Sequence, residues 1–262
     1  MIKLIVSDMD GTLLNSKKEL SPEFENIYKQ LCAKGIYFAV ASGRPHYSLE
    51  PQFAHFKHDI IFIGDNGAYI GIKPEPIITG NFTTKEFENI IDTKRNTSHV
   101  HAVVCTPDKP YTESADTHFL KEAKKYYPTI EVLSDVSKIN KKIIKLAIYD
   151  SLTLQKNSGR VWSRFNTKHV VAQSSDVWVD IMPKGVNKGA AVKYIQQNLG
   201  ISKEQTMAFG DFHNDIEMLQ MADYSYAMEN GHDDVKKVAK FIAPANDSDG
   251  VLKVIEKMLL TH

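Results

Sequence analysis

Residues 3–12 read Lys-Leu-Ile-Val-Ser-Asp-Met-Asp-Gly-Thr, an apolar run that ends in two carboxylates and a glycine. Because Ile5 and Val6 are β-branched and polar residues do not alternate with them, the run predicts a strand buried on both faces of a parallel sheet. Ligands of open α/β sheets bind at the carboxyl ends of such strands. Burying Asp8 and Asp10 together there is unfavourable without a cation. We therefore expect a hard cation such as Mg²⁺ beside them, and one of the two acids could attack a phosphoryl group.

An Asp-Gly pair after a strand is also what an ordinary turn requires, and this interpretation stays open. Two acids separated by one apolar residue are nevertheless more than a turn needs. Asp8, next to the strand, is the better candidate nucleophile. Asp10 is placed to act first as a general acid and then as a general base. Gly11 permits a backbone conformation that other residues resist.

The composition limits the classes of function. The chain has 262 residues, of which 32 are basic and 32 acidic, so its formal net charge is zero. The chain lacks the excess of basic residues that would indicate a nucleic acid partner. It also lacks the polybasic run that would indicate binding to an anionic membrane. No signal peptide is predicted, and no apolar run approaches the roughly 20 residues of a membrane helix. Cys32 and Cys105 form no CxxC pair, which suits a reducing compartment. We expect a soluble cytoplasmic protein. The sequence does not determine its oligomeric state, and a monomer is one of the alternatives.

Strand and helix patterns alternate at both ends of the chain. Apolar runs at 37–41 and 60–64 predict further strands, and Ser21 followed by Pro22 predicts a capped helix between the first two strands. Residues 186–262 return to the same alternation. Strands joined by helices of these lengths indicate right-handed crossovers and a parallel sheet.

The middle of the chain has a different character. Residues 82–185 are lysine-rich; the segment 83–86 matches a capping box at the start of a helix, and 152–165 predicts another helix among strands. The chain is therefore predicted as an α/β protein with a parallel-sheet core formed by 1–81 and 186–262. The intervening residues form an inserted α+β domain.

Two more segments offer groups to an anion. Ser42 and Gly43 follow the strand at 37–41 and could present a hydroxyl and backbone amides, although such a pair is more often only a loop. Lys188 begins a helix, where a lysine opposes the helix dipole, so a phosphate explains it better than helix stability does. A solvated surface lysine is the alternative interpretation, and Lys184 is a competing candidate.

Two further acids follow the predicted strand at 206–210. Asp211 ends that strand and, in a parallel sheet, can lie beside Asp8 and supply another carboxylate to the cation. Asp215 begins a helix and could equally be an ordinary N-cap. His213 could bind a metal, but a hard cation prefers oxygen, so a loop residue is the simpler interpretation. Together these segments predict one site that combines acids, an anion-binding pair and a lysine.

Several segments resemble, in order and spacing, the signature motifs of the haloacid dehalogenase-like phosphohydrolases, and of their Cof-type subfamily in particular. The four motifs match at 8–12, 42–44, 188–189 and 210–215, and further recurring segments match at 65–68, 227–230 and 246–250. The resemblance covers essentially the whole chain, but it is weak in the middle. It implies a Rossmann-like core at 1–81 and 186–262, with a C2B-type cap inserted at 82–185 that selects the substrate. Phe212 and His213 stand where the family has small or polar residues.

The resemblance implies a role for each matching residue. Asp8 would be the nucleophile that forms an aspartyl-phosphate, and Asp10 the general acid and base. The phosphoryl group would be held by the amides of Met9 and Gly43 and by Ser42, Lys188 and Asn214. The Mg²⁺ ion would be held by Asp8, the carbonyl of Asp10, Asp211 and Asp215. Because an alcohol leaving group needs a proton and a halide does not, Asp10 favours hydrolysis of phosphate esters over dehalogenation.

The expected function is Mg²⁺-dependent hydrolysis of small phosphorylated metabolites, above all sugar phosphates such as hexose phosphates. Pyridoxal phosphate and flavin mononucleotide remain open as substrates. A phosphomutase and a non-catalytic phosphosugar-binding protein are the competing classes, and the intact acids and lysine argue against the second. Arg44 and Asn66, at strand ends, are candidate substrate contacts. Glu113, His118 and Trp178 are further candidates in the cap, where ordinary packing explains them better.

Overall fold

The computed structural model describes residues 1–53, 60–72 and 75–261. The chain forms two compact units. The first unit consists of Met1–Gly43, Leu49–Pro76 and Asn187–His262, and the second of Arg44–Ser48 and Ile77–Val186. The second unit thus includes the segment 82–185, which the sequence predicts as an insertion, together with residues 77–81, Val186 and the short segment after Gly43.

Strands and helices alternate at both ends of the chain, as the sequence predicts. The strands and helices of both units are numbered in chain order. The strands are β1 (Leu4–Asp8), β2 (Tyr37–Ala41), β3 (Ile61–Gly64), β4 (Tyr69–Gly71), β5 (Ile77–Ile78), β6 (Val100–Cys105), β7 (Pro110–Thr112), β8 (Glu131–Val132), β9 (Lys145–Asp150), β10 (His169–Gln173), β11 (Trp178–Pro183), β12 (Thr206–Gly210), β13 (Tyr224–Met228) and β14 (Phe241–Ala243). The α-helices are α1 (Phe24–Ala33), α2 (His46–Leu49), α3 (Thr84–Arg95), α4 (Thr117–Ala123), α5 (Gly159–Ser163), α6 (Lys188–Leu199), α7 (Ile216–Gln220), α8 (Asp233–Val238) and α9 (Gly250–Thr261). Within the described ranges, no helix combines the length and apolar character needed to cross a membrane.

A mostly parallel sheet forms the centre of the first unit. Its strand order there is β14-β13-β12-β1-β2-β3-β4, and β4 is antiparallel to β3. Leu4 of β1 lies opposite Tyr37 of β2 and Thr206 of β12, and all three strands run in the same direction. Their carboxyl ends therefore share one edge of the sheet. The predicted α/β class is confirmed, and the pairing of β1 with β12 brings Asp211 close to Asp8, as the sequence predicts.

The core of the first unit lies between this sheet and its helices. Every residue of β1 is buried, in agreement with the apolar run Leu4–Val6 at its start, and the burial includes the polar Ser7 and Asp8 at its end. Helix α1 buries Phe24, Ile27, Tyr28 and Leu31, which the helical period places on one face. The ring of Phe24 packs edge-on against Phe38 of β2, with centroids 5.3 Å apart. This packing fixes the sheet on which the site is built.

The start of helix α1 differs from the prediction. Ser21 does not cap the helix, which begins at Phe24 after Glu23. Instead, the Ser21 hydroxyl accepts a hydrogen bond from the N–H of Glu23 at 3.3 Å, and its carbonyl accepts one from Phe24 at 3.1 Å. Ser21 therefore stabilises a local turn, because a serine side chain competes with the helix for nearby backbone groups.

The second unit contains a six-stranded sheet of order β10-β11-β9-β6-β7-β8. Adjacent strands of this sheet, among the described residues, pair in antiparallel orientation, except β7 and β8, which are parallel. The predicted capping box of α3 is confirmed. The Thr83 hydroxyl accepts from the N–H of Glu86 at 3.3 Å, and the Glu86 carboxylate accepts from the N–H of Thr83 at 2.8 Å. Buried side chains such as Phe87, Ile148 and Trp162 give this unit its own core.

The helix predicted over 152–165 is largely replaced by a turn, and α5 covers only its end. The buried carboxylate of Asp150 accepts hydrogen bonds from the N–H of Leu152 at 2.9 Å and of Ser158 at 3.0 Å. Thr153 has a φ of 85°, which no α-helix contains. Side-chain hydrogen bonds to the backbone therefore prevail over the helical sequence pattern here.

Candidate active site

The ammonium group of Lys188 is buried between two carboxylates at the end of β1. Its Nζ donates to Asp8 Oδ1 at 2.5 Å and to Asp215 Oδ1 at 2.6 Å. The side chains of Lys188 and Asp215 are fully buried, and that of Asp8 is 8% exposed. Charge-assisted hydrogen bonds of this kind are short and strong. The alternative of a solvated surface lysine is therefore wrong for Lys188, whereas Lys184 is exposed.

Helix α6 brings Lys188 to these carboxylates. Asn187 caps the helix, since its Oδ1 accepts from the N–H of Ala190 at 2.7 Å. Gly189 lets α6 lie close to α7, because a Cβ there would be 2.5 Å from the carbonyl carbon of Glu217. The strand that precedes Lys188 in the sequence, β11, belongs to the sheet of the second unit. Lys188 thus reaches the site from the start of a helix, as the sequence predicts.

The loop after β12 supplies two more carboxylates. Asp215 Oδ2 accepts hydrogen bonds from the backbone N–H groups of Asp211 at 3.0 Å and Phe212 at 3.1 Å. The hydroxyl of Thr12 donates to Asp211 Oδ1 at 2.9 Å. Asp215 precedes α7 but makes no cap hydrogen bond to it, so the interpretation as an ordinary N-cap is wrong. Its two oxygens instead fix the loop and hold Lys188.

Three carboxylates converge at this edge of the sheet. Oxygen atoms of Asp8, Asp211 and Asp215 lie within 4.8 Å of one another. Burial, and then the charge of Asp215, raises the pKa of Asp8 well above its usual range, and the same two causes raise the pKa of Asp211. Burial alone would lower the pKa of Lys188, but the carboxylates of Asp215 and Asp8 raise it. One ammonium cannot balance three carboxylates, and an all-oxygen donor set is what Mg²⁺ prefers, so these residues fit that ion.

Gly11 and Asp10 form the turn that follows β1. Gly11 has a φ of 86°, and a Cβ there would be 2.9 Å from the carboxylate carbon of Asp211. Two independent effects therefore disfavour a side chain at this position: the strain of a positive φ, and a collision of the added Cβ with the carboxylate of Asp211. Asp10 Oδ1 lies 2.9 Å from Nζ of Lys18, and the Asp10 side chain is 28% exposed. Among the described residues, the Asp10 carboxylate is not grouped with the three converging carboxylates. Its role as acid and base stays a prediction.

The predicted anion-binding pair lies at the ends of β2 and β3. The carbonyl of Ser42 accepts from the N–H of Asn66 at 3.0 Å, and both residues are buried. Asn66 Oδ1 accepts from Nδ2 of Asn214 at 3.0 Å. A Cβ on Gly43 would be 3.2 Å from the same oxygen. These contacts bring Ser42, Gly43, Asn66 and Asn214 into one group, although the sequence gives no reason to pair the two asparagines.

The turn that carries Asn66 has a left-handed backbone. Asp65, Asn66 and Gly67 have φ values of 51°, 54° and 100°. A Cβ on Gly67 would be 2.8 Å from the carbonyl carbon of Asn187. The glycine therefore allows this turn to lie against the start of helix α6, one residue before Lys188.

The remaining predicted residues are placed in different surroundings. The side chain of Met9 is fully buried in the core of the first unit, which leaves only its backbone for a ligand. Arg44 falls in the second unit. In that unit Glu113 forms ion pairs with the basic side chains at the end of α3, and Trp178 is buried among aromatic rings. Packing therefore accounts for both residues, whereas His118 is exposed.

The structure also assigns contacts to residues for which the sequence gives no role, namely Thr12, Lys18, Asn230 and Asn246. Asn230 Nδ2 donates to the carbonyl of Gly11 at 2.8 Å, and its Oδ1 accepts from the N–H of Asn246 at 3.0 Å. The two asparagines thus support the turn after β1. Both stand in segments that resemble the family, so the resemblance locates them without stating what they do.

These carboxylates, the buried lysine and the parallel sheet define a class of hydrolase. The family model of the haloacid dehalogenase-like hydrolases matches residues 5–255. The chain belongs to this family.

Curated relatives and solved structures agree with this assignment over full length. The 5-amino-6-(5-phospho-D-ribitylamino)uracil phosphatase YbjI of Escherichia coli strain K12 is 31% identical over 262 residues, covering 98% of this chain and 96% of its own. The phosphatase YcsE of Bacillus subtilis strain 168, named for the same substrate, is 28% identical over 264 residues, covering 99% of this chain and 96% of its own. The crystal structure of SMU.1108c from Streptococcus mutans UA159 has a TM-score of 0.88 and 30% identity, covering 99% of this chain and 100% of its own. The chain is an enzyme of the phosphoric monoester hydrolase class.

Proposed function

We propose that this protein is a Mg²⁺-dependent phosphatase that hydrolyses small phosphorylated metabolites, sugar phosphates and hexose phosphates in particular, through an aspartyl-phosphate on Asp8. The observation that carries the proposal is the buried contact of Lys188 with Asp8 and Asp215 beside the carboxylate of Asp211. A fold without chemistry gains nothing from this arrangement, because a buried ion pair is a weak source of stability.

Two proton transfers complete the reaction. An oxygen of Asp8 attacks the phosphorus atom, the bond from phosphorus to the ester oxygen breaks, and Asp10 gives its proton to the departing alkoxide. Asp10, now a carboxylate, then takes a proton from a water molecule that attacks the phosphorus of the aspartyl-phosphate. The bond between phosphorus and Asp8 breaks, and inorganic phosphate leaves.

The charge of the phosphoryl group needs matching groups around it. Lys188 neutralises part of the charge that Asp8 shares with the phosphate during transfer. Ser42, Asn214 and the backbone amides of Met9 and Gly43 hold the phosphoryl oxygens. A Mg²⁺ ion, held by Asp8, Asp211 and Asp215 with the carbonyl of Asp10, would supply electrostatic stabilisation of the developing negative charge.

The second unit is proposed to act as the cap that selects the leaving group, with Arg44 and Asn66 as contacts to the substrate. A second candidate substrate is a phosphorylated ribityl derivative, because two relatives are named as 5-amino-6-(5-phospho-D-ribitylamino)uracil phosphatases. Both candidates are phosphate monoesters of polyhydroxylated chains. Hydrogen-bonding side chains would discriminate such substrates more sharply than apolar packing.

The proposal is tested by phosphate release from a panel of hexose phosphates, ribityl phosphates, pyridoxal phosphate, flavin mononucleotide and p-nitrophenyl phosphate, with Mg²⁺ and with EDTA. Asp8→Asn is the catalytic variant, and Asp92→Asn, at an exposed carboxylate of the second unit, is the matched control. We expect turnover that requires Mg²⁺, disappears in Asp8→Asn and persists in Asp92→Asn. Turnover that survives Asp8→Asn would exclude the aspartyl-phosphate route. Binding of phosphosugars without turnover would favour a binding protein, and recovery of an isomeric sugar phosphate would indicate a phosphomutase.

A further inference from the structure

A second group of potential metal ligands lies in the first unit, apart from the three converging carboxylates. His213 follows β12, and His232 and Asp234 lie at the start of α8. His213 Nε2 is 3.5 Å from Asp234 Oδ2, and His232 Nδ1 is 3.6 Å from the same oxygen. One ligand atom from each residue lies within 4.8 Å of the other two. The two imidazole rings have their centroids 4.2 Å apart.

These distances leave room for an ion between the side chains. The 3.6 Å between His232 Nδ1 and Asp234 Oδ2 is too long for a hydrogen bond, and the 3.5 Å between His213 Nε2 and the same oxygen is at the upper limit of one. Two ligands that each lie about 2.0–2.1 Å from a tetrahedral Zn²⁺ are themselves about 3.3 Å apart. The separations between Asp234 and each of His213 and His232 are therefore close to those of two edges of a zinc coordination tetrahedron.

Of the three ligand atoms, His232 Nδ1 already accepts the N-cap hydrogen bond of α8, and Asp234 shares its carboxylate with Lys237. Lys237 Nζ donates to the other oxygen of Asp234, Oδ1, at 2.8 Å. His232 Nδ1 accepts a hydrogen bond of 3.2 Å from the N–H of Asp234, which an ion on that nitrogen would replace. The ring of Phe212 flanks both imidazoles edge-on, at 4.9 Å from His213 and 6.2 Å from His232. An apolar ring beside a metal site restricts the access of solvent to it.

We propose that His213, His232 and Asp234 form a binding site for a divalent transition metal of the Zn²⁺ class, with the fourth position open to solvent. Two imidazoles and one carboxylate suit such an ion, whereas Mg²⁺ takes oxygen ligands. The backbone N–H of His232 donates to the carbonyl of Asp211 at 2.8 Å. A bound ion would therefore join the loop that carries Asp211 to the start of α8. Phe212 and His213, which depart from the family pattern, then have a common function.

The test is calorimetric titration of the full chain, without any added histidine tag, with Zn²⁺ in a large excess of Mg²⁺. The excess Mg²⁺ occupies the oxygen site, so that Zn²⁺ reports on the nitrogen-containing one. We expect one Zn²⁺ per chain. Because even the partners of metal ligands contribute about 10–100-fold to affinity, His213→Ala and His232→Ala should each weaken binding at least about tenfold. His118→Ala, at an exposed histidine of the second unit, should leave it unchanged.

Lys237→Met adds a change in the opposite direction, because it frees the second oxygen of Asp234 and should tighten Zn²⁺ binding. The four variants alter exposed side chains, and circular dichroism verifies that each is folded. Zn²⁺ binding that is absent from the wild type, or that persists unchanged in either His213→Ala or His232→Ala, would overturn the proposal. This readout does not depend on phosphate release, so the proposed function and the proposed zinc site can fail separately.

Discussion

Lys188 illustrates why a buried charge in this protein is informative. Its ammonium lies against Asp8, and burial raises the pKa of this carboxyl well above its usual range. Such a group persists where chemistry needs it, since a well-packed apolar set would be at least as stable. The side chain is therefore best understood as part of the reaction, and its removal alone would leave two buried carboxylates without their partner.

Lys188→Met should lower both activity and stability. It leaves Asp8 and Asp215 buried without their cation, and breaking a buried pair in this way costs about 3–5 kcal/mol. Urea unfolding in EDTA measures the loss, and phosphate release should fall to background. Lys193→Met, at an exposed position of the same helix, should change stability by no more than about 0.5 kcal/mol. Equal behaviour of the two variants would show that the charge of Lys188 is not needed.

The raised pKa of Asp8 predicts a dependence of stability on pH. An acid whose pKa is higher in the folded than in the unfolded chain binds more protons when folded. Its contribution to stability is therefore present at low pH and declines as the pH rises from the unfolded value, about 3.9, through the folded one. Asp8→Asn removes this decline. In EDTA, the free energy of unfolding of Asp8→Asn minus that of the wild type should increase between pH 5 and pH 8.

Saturating Mg²⁺ is the control for this experiment. Because the ion favours the carboxylate form of Asp8, the wild type should regain stability at pH 8 and the advantage of Asp8→Asn should shrink. A difference between the two proteins that is constant with pH, or that is the same with and without Mg²⁺, would contradict this account.

At the residue scale, the sequence predicts the acids because they lie within a few residues of the ends of two predicted strands, at 3–8 and 206–210. It cannot predict Asn230, whose amide supports the turn after β1 from a distant part of the chain. Nor can it pair Asn66 with Asn214, or His213 with His232 and Asp234. Such contacts form only when loops that are far apart in the sequence meet at one edge of the sheet. The sequence around each residue therefore does not predict its partner.

At the scale of elements, the turn Asp65–Gly67 and the start of helix α6 depend on each other. Gly67→Ala should destabilise the protein by about 2–4 kcal/mol, because it adds backbone strain at a φ of 100° to a collision with the backbone of Asn187. It should also lower kcat, since both Asn66 and Lys188 adjoin this contact. Urea unfolding and phosphate release measure the two effects.

Gly35→Ala is the matched control for this contact. Gly35 also has a left-handed backbone, with a φ of 67°, but nothing lies within 4 Å of an added Cβ. The substitution should cost only the backbone strain, about 1 kcal/mol, and leave kcat unchanged. If Gly67→Ala were no more harmful than Gly35→Ala, the contact with Asn187 would not matter.

Helix starts were predictable where no tertiary contact competes for the capping side chain, and less so where one does. Thr83 and Glu86 form the predicted capping box, because both partners lie within one turn and need no other part of the chain. Ser21 offers the same type of side chain but stabilises a turn instead. Asp150 likewise holds a turn where a helix is predicted. Such a side chain can accept hydrogen bonds either at a helix start or within a turn, and its tertiary surroundings decide which of the two it forms.

At the scale of the whole molecule, two units with separate cores make different contributions. The alternation of strands and helices predicts the parallel sheet of the first unit, because its strands are short and mostly apolar and helices connect them. The antiparallel pairing order of the second unit does not follow from any such rule. The first unit contains every group proposed for the chemistry, and the second contains no motif residue apart from Arg44, a proposed contact to the substrate. Substrate choice is therefore the property that the sequence predicts least.

Because the two units have separate cores, we also expect Mg²⁺ to slow amide hydrogen exchange in the first unit and not in the second. An ion that binds only the folded first unit stabilises it by mass action, and amides that exchange through opening of that unit become slower. Hydrogen exchange followed by mass spectrometry should show slower exchange in β1 and β12 when Mg²⁺ replaces EDTA. The strands β6 and β9, in the core of the second unit, should exchange at unchanged rates. Asp8→Asn should reduce the effect in the first unit. Equal slowing in both sheets would mean that the two units unfold as one cooperative body.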